Sequence, residues 1–379
     1  MLSNRKSIYV SFRDIKNISR PLLFHQALKN LGYSMHFITY KSILKKSLTW
    51  PLIAGLDKLR PFRPITWSLQ GFLLSLYSTE YHIAFLLNPM GALELKKSIF
   101  KGLAIIDYMD VILEEGAELP YYHYLNLKNS DGVIFWSKAF MSRLKGIIPN
   151  IRSLYLPFGV SLNLFNPRKI GDSIFINKYP FLKNRFKLLY SGGIWRGSRG
   201  EDYQGVDKLP NILDRLRKYL PSKKVTLILN SPLDRILYKA FKETATLNQV
   251  LWIPPLPSSS IIRQSMFSAA DICILPASTY PSIYYAERMK MFEYMAAGKA
   301  IVAEETPGAK GVLRNGFNAS LTKLNDVEDF SEKIVTLIED RDLRLQLGEN
   351  AYNDILQNYE WRILAQRLAL FLESLVNSI

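Results

Sequence analysis

With a single cysteine, Cys273, the 379-residue chain cannot close a disulfide of its own, so packing alone has to hold the fold and a reducing compartment suits it. Cys273 lies inside the apolar run Ile272-Cys-Ile-Leu275, where a thiol reads as a small buried hydrophobe. Histidine is scarce at four residues, and no His, Cys, Asp or Glu grouping has metal-ligand spacing, so no catalytic metal is expected. No window reaches about 18 uncharged apolar residues, which excludes a spanning helix. Arg5 and Lys6 run straight into the strand-like Ser7-Ile-Tyr-Val-Ser-Phe12 without the pattern of a secretory leader. Short repeats and low-complexity tracts are missing too, so the likeness of the two halves is one of architecture and not of residue-level repetition. Acidic residues are few at the front: residues 1–79 hold twelve Lys and Arg against Asp14 and Asp57, in a chain of formal net charge +16. Such a surplus attracts polyanions, whether nucleic acid, an anionic bilayer or phosphorylated small molecules.

What is present has the size for two packed cores. Strand and helix patterns alternate: Ser7–Phe12, a helix from Pro21 to Asn30, Ser34–Thr39, Ile83–Leu87, Leu103–Asp107 and Gly132–Trp136. The second half repeats the style with Lys187–Ser191, Lys224–Asn230, Val250–Pro254, Asp271–Pro276 and Ala300–Glu304, before helices over Asp340–Asn358 and Trp361–Val376. Alternation of this kind makes an α/β protein of two Rossmann-like domains with mainly parallel sheets. The Pro- and Gly-punctuated segment Leu156–Pro167 separates them. We expect domains at 1–164 and 165–358, with a helix over 359–379 returning to the first.

Two places carry candidate chemistry. The stretch Met291–Ala303 sets Glu293 on a short helix ending at Gly298, followed at once by a strand. Ligands collect beyond the carboxyl ends of parallel strands, and a helix start there offers free N–H groups to an anion. A solvated carboxylate paired with Lys290 is the bland alternative. The second place is the turn Tyr190-Ser-Gly-Gly-Ile-Trp-Arg196, where Gly192 and Gly193 permit close approach and Arg196 or Arg199 offer bidentate contacts to phosphate. An ordinary glycine turn with solvated arginines is equally compatible with those residues alone.

Four segments in order resemble the B-type glycosyltransferases, specifically the large retaining family four. They are Leu156–Pro167, then Tyr190–Gly193 with Gln204-Gly-Val-Asp207, then Ala270–Pro276, then Lys290-Met-Phe-Glu-Tyr-Met-Ala-Ala-Gly-Lys-Ala-Ile-Val302; Tyr359-Glu-Trp361 adds a closing aromatic pair. The resemblance implies two facing Rossmann-like domains and transfer of a sugar, with retention, from a nucleotide-diphosphate sugar to an acceptor hydroxyl, without metal or cofactor. It implies Arg196 and Lys290 as phosphate ligands, Glu293 as the ribose-binding acid, and Gly192 and Gly193 as the close-approach turn, with the loop Ile253–Pro257 beside the nucleobase. Tyr285 replaces the glutamate that relatives carry eight residues before Glu293, with Glu287 nearby but out of register; Gln204 replaces a lysine. In the first domain, Asp107 and Asp110 close a strand, and Asp110 is the candidate contact to the transferred sugar, a capping role being as compatible.

The basic cluster Lys41, Lys45, Lys46, Lys58, Arg60 and Arg63 is interleaved with Trp50, Leu52, Ile53 and Leu56, a composition suited to an anionic membrane surface. Ile65–Tyr77 either extends that patch or is a core helix. The expectation is a cytoplasmic enzyme, peripheral on the inner face of the membrane, acting on a lipid-linked or polysaccharide precursor. A catalytically degenerate partner subunit is the alternative. Nucleic acid is not expected as a partner, since no recognisable module is present and Glu293 would have no task.

Overall fold

The computed structural model describes residues 6–11, 19–29, 32–39, 63–87, 98–108, 119 and 121–377. The chain forms two compact units, Met1–Pro157 with Trp361–Ile379, and Phe158–Glu360. The division falls at Pro157 and Glu360, where the sequence pattern places it at 164 and 358. Val160 bridges to Glu360 and donates its N–H to the Tyr359 carbonyl at 3.0 Å, which ties the linker to the second unit.

In the first unit six strands run in the order β2-β1-β3-β4-β5-β6, all parallel. They are β1 Lys6–Ser11, β2 Ser34–Thr39, β3 Ile83–Leu87, β4 Leu103–Tyr108, β5 Gly132–Phe135 and β6 Ser153–Tyr155. Every residue of β3, β4 and β5 is buried, which is why these strands read as continuous apolar runs and not as alternating ones. The helix Trp361–Val376 returns to this unit, its Trp361 ring 5.6 Å from Phe24 on the helix Ser19–Lys29. A Cβ on Gly132 would fall 2.8 Å from Phe371 and 2.9 Å from Leu375, so a glycine opens β5 where that helix crosses.

A buried ion pair locks the unit. Asp107 on β4 accepts from Arg20 Nε and Nη2 at 3.1 Å each, from the Tyr9 hydroxyl at 2.6 Å and from Trp136 Nε1 at 2.6 Å. Arg20 directs its remaining N–H groups to the Leu156 and Pro157 carbonyls at 2.9 Å and packs 4.1 Å from the Trp136 ring. Both side chains are fully buried, so Asp107 has no lone pair left for a ligand and is a structural carboxylate. Asp110 and the basic cluster up to residue 62 lie outside the described residues. Ile65–Tyr77 belongs to the helix Arg63–Tyr77, which buries Leu74 and exposes Leu69, Phe72 and Leu76. Among the described residues no helix is long and apolar enough to cross a membrane.

The second unit also has six parallel strands, ordered β12-β11-β10-β7-β8-β9. They are β7 Phe186–Ser191, β8 Val225–Asn230, β9 Val250–Ile253, β10 Ile272–Leu275, β11 Ala300–Glu304 and β12 Ser320–Thr322. From β7 the order proceeds one way to β9, and from β10 the other way to β12. The β7/β10 seam is therefore a topological switch point, where the connections diverge and leave a crevice. Cys273 is fully buried on β10, and burial pushes its thiol far above the ordinary range. The expected helix Asp340–Asn358 is two pieces, Arg341–Asp354 and a π-helical turn over Ile355–Tyr359, with the Asp340 side chain capping the start by accepting from the Leu343 N–H.

Replacing Arg20 by Ala should cost about 3–5 kcal/mol of stability, the usual penalty for leaving a buried partner charge unanswered. Urea unfolding followed by tryptophan fluorescence measures it, and a loss below about 1 kcal/mol would contradict the locking role.

Candidate functional site

At the switch point the strand ends are fastened to one another before any ligand is considered. The Ser191 N–H donates to the Tyr294 hydroxyl and its Oγ to Asn230 Oδ1, both at 3.0 Å; Asn230 Nδ2 in turn donates to the Pro254 carbonyl at 2.7 Å. The loops after β7, β8 and β9 thus share one polar frame, and such satisfied buried networks are rigid. Gly192 and Gly193 follow directly. A Cβ on Gly192, whose φ is +155°, would fall 2.6 Å from Lys290 Nζ, and one on Gly193 2.6 Å from Trp195 Nε1. The expected close-approach turn is already occupied on both sides by side chains.

Lys290 and Glu293 ride on the helix Met289–Ala296, which Gly298 ends at φ +65° with its N–H donating to the Met295 carbonyl, the left-handed cap that glycine adopts without strain. Lys290 Nζ donates to the Tyr190 hydroxyl at 2.9 Å and lies 4.2 Å from that ring; Tyr190 donates onward to the Gly193 carbonyl at 3.0 Å. Gln204, in the lysine position of relatives, accepts from Lys290 at 3.4 Å. Among the described residues no carboxylate pairs with this ammonium. Burial, reinforced by the nearby Arg288 guanidinium, pulls its pKa well below the ordinary 10.5.

Arg288 begins the helix and escapes sequence reasoning, since nothing in its neighbourhood marks it. It is only 8% exposed and donates Nη1 to the Pro276 carbonyl at 2.7 Å, while Nε and Nη2 have no partner among the described residues. Burial lowers its pKa as well. Two orphaned guanidinium donors beside an unpaired ammonium form a site suited to an anion, because buried donors rarely go unmatched.

The other charged candidates are engaged. Arg196 makes bidentate bonds to Asp207 (2.6 and 2.7 Å) and to Asp234 (3.1 and 2.8 Å), so its guanidinium pins its loop to both carboxylates. The expectation that it faces phosphate meets this obstacle: no free edge remains. Glu293 is 5% exposed, and its two oxygens accept from Arg263 Nη1 at 2.9 Å and Nη2 at 2.8 Å. Arg263, packed 4.7 Å from the Phe267 ring, is the lone charge of the helix Ile261–Ala269, which was the overlooked signal that it needs a buried acid. Glu304 at the end of β11 accepts from Lys208 Nζ at 2.6 Å and from the N–H groups of Ala277 (2.5 Å) and Asn325 (2.6 Å). Tyr285 closes the turn Pro281–Tyr284 and is half-buried against Tyr284, with ring centroids 5.0 Å apart. Glu287 is buried and packed so closely on Gly311 that a Cβ there would collide with its Oε1. Arg199 stands exposed at the loop tip. Among the described residues no group of three His, Cys, Asp or Glu side chains is placed to hold a metal ion.

Residues 185–354 match the family described as glycosyl transferases group 1. The second unit belongs to the group 1 glycosyltransferases. Similarity reaches beyond this glycosyltransferase unit: an uncharacterized glycosyltransferase of Methanocaldococcus jannaschii is 26% identical over 253 residues, 67% of this chain and 61% of that one. The chain therefore spans less than two thirds of that relative. Over 111 residues, 29% of this chain and 27% of the other, it is 34% identical to the N,N'-diacetylbacillosaminyl-diphospho-undecaprenol alpha-1,3-N-acetylgalactosaminyltransferase of Campylobacter jejuni. Among solved structures, HepE of Anabaena in complex with UDP and glucose has a TM-score of 0.69 at 16% identity, covering 98% of this chain and all of that one. Sucrose-phosphate synthase of Thermosynechococcus elongatus has a TM-score of 0.71 at 15% identity, with 99% and 100% covered. These likenesses establish the B-type architecture of two Rossmann-like domains across the whole chain.

In the folded protein Lys290 binds fewer protons than it does unfolded. Between its depressed pKa and 10.5 it therefore makes stability rise with pH. Lys290→Met should be more stable than the parent at pH 7, by a margin that shrinks as pH approaches 10.5. Urea unfolding at pH 7 and pH 9 measures this, and an unchanged margin would contradict it.

Proposed function

We propose that the protein transfers a sugar from a nucleotide-diphosphate sugar to an acceptor hydroxyl with retention of configuration, without a metal or other cofactor. The observation that carries this reading is the pair Lys290, half-buried, and Arg288, buried, neither hydrogen-bonded to a carboxylate among the described residues, at the switch point of a group 1 glycosyltransferase unit. As the glycosidic bond to the donor breaks, negative charge develops on the departing diphosphate, and fixed donors in a dry site stabilise it most where it appears. Lys290 and the free edge of Arg288 face that charge, and Gly192 and Gly193 bind the donor's phosphates through the turn against which Lys290 and Trp195 pack. Anion binding also favours the protonated ammonium that burial disfavours, so the donor completes the site electrostatically. Glu293 addresses the ribose with the lone pairs that its bonds to Arg263 leave, and Tyr285 and Glu287 line the donor side. Arg196 fixes the loop beside them.

For the acceptor we propose a lipid-linked or membrane-borne glycan in polysaccharide assembly, reached from the cytoplasmic face. The names of two relatives support this: the Campylobacter jejuni enzyme names an undecaprenol-linked acceptor, and a Mycobacterium tuberculosis mannosyltransferase, 22% identical over 246 residues, names phosphatidylinositol monomannoside. Leu69, Phe72 and Leu76 share one exposed face of the helix that follows the basic cluster, a composition that settles at an anionic bilayer. Engagement of Arg196 together with the loss of the lysine at Gln204 favours the second reading, a partner subunit that binds nucleotide sugar without turnover.

Incubation with UDP- and GDP-sugars, plus undecaprenyl-diphosphate-linked and soluble saccharides, should release nucleoside diphosphate, in EDTA as in its absence. NMR of the product anomeric proton reads retention. Binding without release for every acceptor would establish the partner-subunit reading instead. Lys290→Ala and Arg288→Ala should each weaken nucleoside diphosphate binding by about 1.5–3 kcal/mol, roughly 10–150-fold, as for hydrogen bonds to charge. Calorimetry with folded variants checks this, and unchanged affinity in both would remove the anion site.

A further inference from the structure

Trp195 lies outside the charged frame of the site, yet its placement is unusual. It is 58% exposed, although burying a large apolar side chain is worth about 1.5–3 kcal/mol. Its indole packs against Gly193, with Nε1 2.6 Å from where a Cβ of that glycine would stand, and that N–H makes no hydrogen bond among the described residues. Exposure here does not come from a loose loop. The next residue, Arg196, is clamped by Asp207 and Asp234 and bridges to Asp202. The Trp195 carbonyl accepts from the Tyr203 N–H at 3.1 Å. Tyr203 is itself stacked on Tyr280, with centroids 3.8 Å apart and planes 7° apart, and its carbonyl accepts from Ser278 Oγ at 2.7 Å. Two ion pairs, a backbone hydrogen bond and a ring stack thus hold a tryptophan out of the core. An amphipathic ring with an unused N–H, fixed in place beside an anion site, is a preorganised ligand surface.

The two glycines order what lies around them. Lys290 closes on Gly192 and Trp195 on Gly193, so the indole flanks the same two-residue turn as the cation proposed to meet the diphosphate. The group attached there is the sugar that will be transferred. The nucleoside end is associated with Glu293 and with the loop after β9. Tyr285 supplies no carboxylate to the sugar side, and an aromatic platform is another way to hold a sugar.

We infer that Trp195 is a specificity-determining contact to the transferred sugar, its ring packing against the sugar's C–H face and its Nε1–H donating to a sugar hydroxyl. This rests on the nucleotide-sugar reading of the site. Calorimetry and tryptophan fluorescence with UDP-glucose and GDP-mannose, each compared with UDP or GDP alone, test it on the full chain. For the nucleotide sugar that binds, Trp195→Ala should lower affinity about tenfold and Trp195→Phe only a few-fold. Both variants should bind the matching nucleoside diphosphate within about twofold of the parent, since the sugar alone meets the ring. The fluorescence change that the sugar adds should vanish in Trp195→Phe, which keeps a ring in place should Trp195→Ala fail to fold. Equal losses for nucleotide and nucleotide sugar, or no loss for either, would overturn the assignment while leaving the anion site standing. Failure of the parent to bind any of the four ligands would overturn the nucleotide-sugar reading, and this inference with it.

Discussion

Charge withdrawn from water has to be answered inside the protein, and this constraint organises both units. A carboxylate or guanidinium without a partner in a low-dielectric interior costs several kcal/mol. The chain meets that cost in pairs: Arg20 with Asp107, Arg263 with Glu293, Lys208 with Glu304, and Arg196 with both Asp207 and Asp234. Each pair joins segments apart in sequence, so satisfying the charge also fixes where helices and loops meet the sheet. Against that background the exceptions are informative. Among the described residues Lys290 and Arg288 make no direct ion pair, and they stand at the β7/β10 seam, where the topology opens a crevice.

Much of the fold was legible because buried parallel strands are apolar from end to end. Leu103–Tyr108 and Ala300–Glu304 needed only their hydrophobic runs to be found. The edge strands Ser153–Tyr155 and Ser320–Thr322 were missed because three residues are too few to show any periodicity. The site was legible in proportion to how local its determinants are. Gly192, Gly193, Lys290 and Glu293 sit at positions set by the strand–turn–helix pattern around them. Arg196 looked available because its partners enter from 11 and 38 residues away, a distance no local pattern spans. Arg263 is the converse case, a charge in an apolar helix whose partner sits 30 residues on.

Engagement and availability also divide the labour within the site. The polar frame of Ser191, Asn230 and Tyr294 consumes its hydrogen-bonding capacity internally, and such groups hold position without touching a ligand. Arg263 holds both oxygens of Glu293 in the same way and fixes that carboxylate in one orientation. Groups that keep unused donors are fewer: the Arg288 guanidinium at the start of the helix Met289–Ala296 and the Trp195 indole at Gly193. Rigid supports with a small number of open valences are what a site requires if binding is to add order only to the ligand.

The return of the helix Trp361–Val376 to the first unit has a consequence for biosynthesis. The ribosome begins the first unit before the second and finishes it afterwards, because Phe24 and the start of β5 wait for Trp361, Phe371 and Leu375. The second unit, continuous from Phe158 to Glu360, can complete its sheet while its host is still missing a wall. Emergence from the ribosome therefore runs in one order and closure of the cores in the other, and a chain interrupted anywhere inside the second unit also leaves the first one open.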